Sequence, residues 1–209
     1  MKQKTLFDLD DVADEVDKVV EKTKSKATRT EEKIQMKLSK AADRLEDVIG
    51  AVEMGKTTHY VSISEWSMHD VLFHILRQTG PAEVCIATWS VSEIAVRQIF
   101  KQMEEGQITR LYALLDWRVK VRRPEVHDLL KFNISDIHVT TCHAKTTVIR
   151  NKKWAISIVG SANFTNNPRI EAGVISCDRA AADFHRRWIL DAIKGANPFE
   201  VKTGRRNWK

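Results

Sequence analysis

The sequence predicts an α/β fold: a mixed β-sheet flanked by helices and preceded by an N-terminal helical segment. Three observations predict it. Residues 1–49 contain neither Gly nor Pro and space their apolar residues by three and four, as helices do. From Thr57 onward short apolar runs alternate with amphipathic stretches, the order expected of strands covered by helices. After Asp136 four strand-like runs follow one another with only turn residues between them, which adds neighbouring strands to the alternating ones.

In the N-terminal segment, Leu9, Val12, Val16 and Val19 make one stripe, and Ile34, Leu38, Ala41, Leu45 and Val48 make a second. We read two amphipathic helices hinged at the polar KTKSKATRT, the second starting at Thr30 before Glu31 and Glu32. Residues 1–50 would serve oligomerisation or partner binding, packing on the body or on each other. The body spans 57–196. HYVSISEW alternates as a strand, MHDVLFHILRQ reads as a helix, and Gly80-Pro81 punctuates. AEVCIATW is a largely apolar strand, and Ser90 with Glu93 has capping-box spacing at the start of the helix EIAVRQIFKQM. RLYALLDW is a strand and PEVHDLLKF a helix. The strands DIHVTTC, KTTVIR, KWAISIVG and EAGVIS follow, and AADFHRRWILDAIKG closes the body as a helix. Residues 197–209, with Lys202, Arg205, Arg206 and Lys209, form a basic tail.

With 209 residues and 43% hydrophobic content, the chain suffices for one well-cored domain and an appendage. It has no run of about 18 apolar residues, and MKQKTLFDLDD does not read as a secretion signal, so a soluble cytoplasmic protein without a membrane partner is expected. Cys85, Cys142 and Cys177 are odd in number and far apart, which excludes a disulfide framework and a structural zinc site. The net charge of +6 is unevenly placed. Residues 1–50 hold 11 Lys and Arg against 12 Asp and Glu, leaving 23 against 16 in the remainder. A basic body suits a polyanionic partner.

The stretch HAKTTVIRNKKWAISIVGSAN carries the chemistry. His143 and Lys145 are two apart, so on an extended chain they face one way, and Ser161 and Asn163 repeat that spacing after a turn at Asn151, Lys152 and Lys153. If the flanking strands pair, the four residues converge. An imidazole, an ammonium and an amide donor on one spot suit a phosphodiester, because Lys and Asn can donate to the non-bridging oxygens while His serves the bond made or broken.

His143-Ala144-Lys145, Gly160-Ser161-Ala162-Asn163-Phe164-Thr165 and the downstream Glu171 resemble the phospholipase D superfamily, and within it the small members with one such motif per chain, typified by bacterial endonucleases. The likeness is tight over 138–176 and extends through the order of elements over about 57–195. It implies a phospholipase D-like domain that needs no metal or other cofactor. It also implies a symmetric homodimer with one active site on the two-fold axis, in which His143 attacks phosphorus and its copy acts as general acid and base. Lys145 and Asn163 would clamp the phosphate, Ser161 would be a supporting donor, and Glu171 would hold the tautomer of His143. The chain departs from the family pattern HxKxxxxD at its last position, which is Arg150, a cation that would add a phosphate contact or mark a binding-only copy.

Arg118, Lys120, Arg122 and Arg123 crowd the loop expected after RLYALLDW, where contacts to a nucleic-acid backbone would carry no sequence information. Trp89 and Trp117 follow predicted strands and are either packing residues or platforms for bases. The remaining histidines, His69, His74, His127, His138 and His185, read as surface or core residues. Gln3, Leu6 and Phe7 are similar to the QxxLF peptides that dock bacterial proteins on the sliding clamp, or else begin a helix face. The reading is a phosphodiesterase acting on nucleic acid, DNA before RNA. The alternatives are a phospholipid hydrolase or phosphatidyl transferase, for which no apolar loop is evident, and a nucleic-acid-binding scaffold without activity.

Overall fold

The protein, in a computed structural model, is described over residues 33–38, 45–63, 66–134, 136–166 and 169–195. The stripe at 9–19, the clamp-like Gln3, Leu6 and Phe7, and the basic tail lie outside these residues. In chain order the elements are β1 (Lys33–Leu38), α1 (Leu45–Val48), β2 (Lys56–Ile63), α2 (Met68–Thr79), β3 (Ala82–Thr88), α3 (Glu93–Glu104) and β4 (Ile108–Asp116). They continue with α4 (Trp117–Arg122), α5 (Pro124–Asn133), β5 (Asp136–Thr140), β6 (Thr146–Arg150), β7 (Ala155–Gly160), β8 (Ile170–Ser176) and α6 (Arg179–Ile193). The eight strands form one sheet in the order β1-β2-β8-β7-β6-β3-β4-β5. β3, β4 and β5 run parallel to one another, and β6, β7 and β8 join by antiparallel pairing. The expected mixed sheet flanked by helices is therefore present.

Alternation along the strands builds two cores. In β3, Val84 and Ile86 enter the larger core, and so do Leu111, Ala113 and Leu115 of β4; α2, α3 and α5 cover it with Leu72, Ile75, Val96, Ile99, Val126 and Leu130. The intervening Cys85, Ala87, Tyr112 and Leu114 face Ala182 and Ile189 of α6. Strands buried on both faces read as near-continuous apolar runs, which is why AEVCIATW and RLYALLDW do not alternate.

Three sequence expectations are corrected. Ile34 and Leu38 belong to a strand, not to a second N-terminal helix; β1 pairs in parallel with β2 from Lys33↔Lys56 to Leu38↔Val61. KIQMKL fits a period of two as well as a spacing of four, and pairing with an open sheet edge decided between them. Of that stripe, Leu45 and Val48 are helical. The cap of α3 is Ser92, whose side chain accepts from the Ala95 N–H at 3.2 Å; Ser90 lies too early. The basic cluster after β4 is a short helix, α4, capped by Asp116 and followed by Arg123, where a loop was expected.

The strand directions bring Thr88, Asp116, the loop before Thr146, Gly160 and Ile170 to one end of the sheet. Glu83, Arg110, Asp136, Arg150 and Ser176 mark the opposite end.

Candidate active site

β6 and β7 pair from Thr146↔Val159 to Arg150↔Ala155, and the Gly160 N–H donates to the Lys145 carbonyl at 3.1 Å, so the His/Lys pair lies beside Gly160-Ser161 as the spacing predicted. β7 can continue into Ser161 only through a glycine, since a Cβ on residue 160 would stand 2.9 Å from the Ala172 carbonyl oxygen. One open cleft of about 1070 Å³ is lined by His143, Lys145, Ser161, Asn163 and Glu171, so the structure brings all five expected catalytic residues together.

Each is held differently. His143 is exposed, its ring tilted over Trp89 at 5.6 Å between centroids. The Lys145 ammonium, buried, donates to the His143 carbonyl at 2.8 Å and lies 3.2 and 3.3 Å from the two ring nitrogens. The ammonium thus lies nearly equidistant from both nitrogens of the imidazole and can donate to whichever carries no proton. Burial pulls the Lys145 pKa below that of an ordinary lysine, opposed by the charges of Cys142, Glu171 and Asp116.

Asn163 lies in a tightly fixed turn. Phe164, fully buried, pairs with the segment at 90–92 through Phe164 N–H to Ser90 O (3.2 Å) and Ser92 N–H to Phe164 O (2.9 Å). The N–H of Met68, at the start of α2, donates to the Asn163 carbonyl at 3.2 Å, and Thr88 Oγ1, which donates to the Ser90 carbonyl at 2.9 Å, lies 3.3 Å from Asn163 Oδ1. The Asn163 amide lines the cleft, where its NH₂ group can donate to a ligand.

Glu171 and Ser161 differ from expectation. The Ser161 hydroxyl donates to the Glu171 carboxylate and accepts from the Ala172 N–H at 3.0 Å. Glu171 thus holds Ser161 here and not the His143 ring. Its charge, after burial, helps to raise the pKa of Tyr60, whose ring covers Gly173; a Cβ there would lie 2.5 Å from the Tyr60 hydroxyl oxygen.

The predicted cations do not stay together. Arg123 lines the catalytic cleft, and Arg118, Arg122 and Arg123 line an adjoining cleft of about 320 Å³. Lys120 is exposed and lines neither. Arg150 is at the far end of β6, outside the cleft, paired with Asp183 of α6 at 3.4 Å; a strand leaving the site carries its last residue away from it. Sequence reasoning missed Arg169, an exposed cation in the cleft lining, and Asp116. Asp116 is 1% exposed; its Oδ1 accepts from the Arg118 N–H at 3.0 Å and its Oδ2 from the Cys142 N–H at 3.0 Å, which ties the loop carrying His143 to the end of β4. The available signal was an acid directly after an apolar strand, at the sheet edge where α/β proteins gather their functional groups.

Among the described residues no cluster of His, Cys, Asp or Glu has the arrangement of a metal site, and no helix is long and apolar enough to cross a membrane.

The sheet order, its helical layers and the cleft at the strand ends define a phospholipase D-like fold. No family model and no curated protein matches the sequence. Among solved structures, the chain is similar to Nuc from Salmonella typhimurium, described as a phospholipase D family member, at 16% identity over 65% of this chain and 93% of that one, with a TM-score of 0.50. It is also similar to NucT from Helicobacter pylori (13% identity, 66% and 96% coverage, TM-score 0.49) and to a polyphosphate kinase from Porphyromonas gingivalis (13%, 67% and 26%, TM-score 0.47).

Proposed function

We propose that the chain is a cytoplasmic phosphodiesterase that cleaves nucleic acid, DNA in the first place, through a covalent adduct on His143. The observation that carries this reading is the convergence of the His143 imidazole, the Lys145 ammonium and the amide of Asn163 on one open cleft with Arg123 and Arg169 in its lining. A ring nitrogen of His143 attacks phosphorus, and the bond from phosphorus to the leaving oxygen breaks as Lys145 and Asn163 donate to the non-bridging oxygens. Water then attacks phosphorus and breaks the phosphorus–nitrogen bond, restoring the imidazole. The leaving oxygen needs a proton and the water must lose one. Within the described residues His143 is the sole imidazole of the cleft lining, so the second acid and base would be His143 of the partner subunit in a symmetric dimer. Exposed Ile94, Val159 and Ile170 edge the cleft and are surface that such a dimer would cover. The step uses no metal, so it is tested in EDTA. Wild-type protein should cut labelled DNA there and the His143→Ala variant should not; wild type that cuts neither DNA nor RNA would overturn the reading.

A further inference from the structure

Resting on that reading, we propose that α4 and Trp89 form a nucleotide subsite beside the catalytic cleft, and that the substrate is therefore unpaired next to the phosphate that is cut, with a base stacked on Trp117. The smaller cleft shares Trp89, Ser90 and Arg123 with the catalytic one, so the two are stretches of one trough along the strand ends. Its volume of about 320 Å³ is that of a small-molecule site, enough for one nucleotide. The walls are an aromatic and cationic stack. The Arg118 guanidinium lies 5.6 Å from the ring centre of Trp89, which lines the cleft, and 5.2 Å from that of Trp117, which lines neither cleft but is joined to this one through Arg118. Asp116 pairs with Arg118 at 3.5 Å and helps to hold it beside the two rings.

Trp117 is 45% exposed and Val121, one turn later on α4, is 65% exposed, which leaves apolar surface beside three arginines. Arg122 and Arg123 form no ion pair among the described residues and are available to phosphate. Glu125 also lines the cleft. A carboxylate disfavours a bare phosphate there but accepts from the exocyclic amino group of a base, so the base belongs at the Glu125 side, reaching past the lining to the exposed Trp117, and the phosphate at Arg123 on the shared wall. Stacking needs an exposed base face. A duplex covers those faces with neighbouring pairs, whereas an unpaired strand presents them.

The test reads binding in the His143→Ala background, where nothing is cut, so its outcome stands apart from whether the wild type hydrolyses a diester. Fluorescent single-stranded and duplex DNA of one sequence are titrated into the full-length variant, with and without Trp117→Ala or Trp117→Phe. Tighter binding of the single strand, weakened about tenfold by Trp117→Ala and largely retained by Trp117→Phe, is the expected result. Equal binding of single strand and duplex, or single-strand binding indifferent to Trp117→Ala, would overturn the subsite. Association with vesicles of anionic phospholipid that Trp117→Ala abolishes while DNA binding stays unchanged would also overturn it, by giving α4 to a membrane surface.

Discussion

The two ends of the sheet are built from the same strands and place their arginines differently. At the end away from the site three arginines are matched: Arg186 donates to Glu83 at 2.6 and 3.2 Å, Arg110 pairs with Asp136 at 3.0 Å, and Arg150 pairs with Asp183 at 3.4 Å. Lys152 and Lys153, in the exposed turn after β6, have no ion pair among the described residues. At the site end, Arg122, Arg123 and Arg169 have no ion pair among the described residues, and the buried Lys145 sits against an imidazole and a carbonyl. Matched charges at one end neutralise one another, whereas unmatched cations at the other are held ready for an anion. Unpaired arginines gathered in the lining of a cleft, and not unpaired charge alone, thus set the site end apart.

Removing the buried charge sharpens the contrast most. Lys145→Met should lower the rate of cleavage on the order of 10²–10³-fold, as loss of a donor to developing negative charge does. Its melting temperature should hold or rise, because an apolar side chain replaces a buried ammonium. The pH profile carries the same sign. The active form of Lys145 is the ammonium, and its pKa is lowered, so the alkaline limb of kcat/KM should fall at lower pH than an ordinary lysine would give. The unfolded chain keeps that proton to higher pH than the folded one, so Lys145 opposes folding below its folded pKa and ceases to as pH rises past it.

Asp116 comes next. Asp116→Ala frees the Cys142 and Arg118 N–H groups and should cost about 1–3 kcal/mol in denaturant unfolding. It should also reduce kcat by up to about 10²-fold, through displacement of the loop that carries His143. Lost stability without lost activity would detach Asp116 from the site. The smallest effect is expected at the far end, where Arg150→Ala removes a half-exposed pair. Stability should change by about 0–1 kcal/mol and cleavage not at all. A marked loss of cleavage would show that the two ends are not independent.

How far this was legible in the sequence depends on whether a residue acts through neighbours in the chain or through distant partners. His143, Lys145, Ser161 and Asn163 were readable because they flank a local hairpin, directly before β6 and directly after β7, and the structure joins them in one cleft. Asp116 was not, since its partner Cys142 lies 26 residues away and a lone acid after a strand reads equally as a helix cap, which it also is. Glu171 was assigned to His143 from resemblance, while the structure gives it to Ser161, ten residues away across the turn. The strand β1 was hidden because KIQMKL satisfies two periods, and only its pairing with β2 decides. The far location of Arg150 follows from strand length alone, once β6 is known to run from Thr146 to Arg150.

The stereochemical course at phosphorus tests the central claim most directly. Cleavage of a DNA diester bearing a chiral phosphorothioate at the cut position, in EDTA and isotopically labelled water, distinguishes one in-line displacement from two. Attack by His143 followed by water inverts phosphorus twice, so the account predicts net retention of configuration. Net inversion would mean that water attacks the diester directly and that His143 is not the nucleophile.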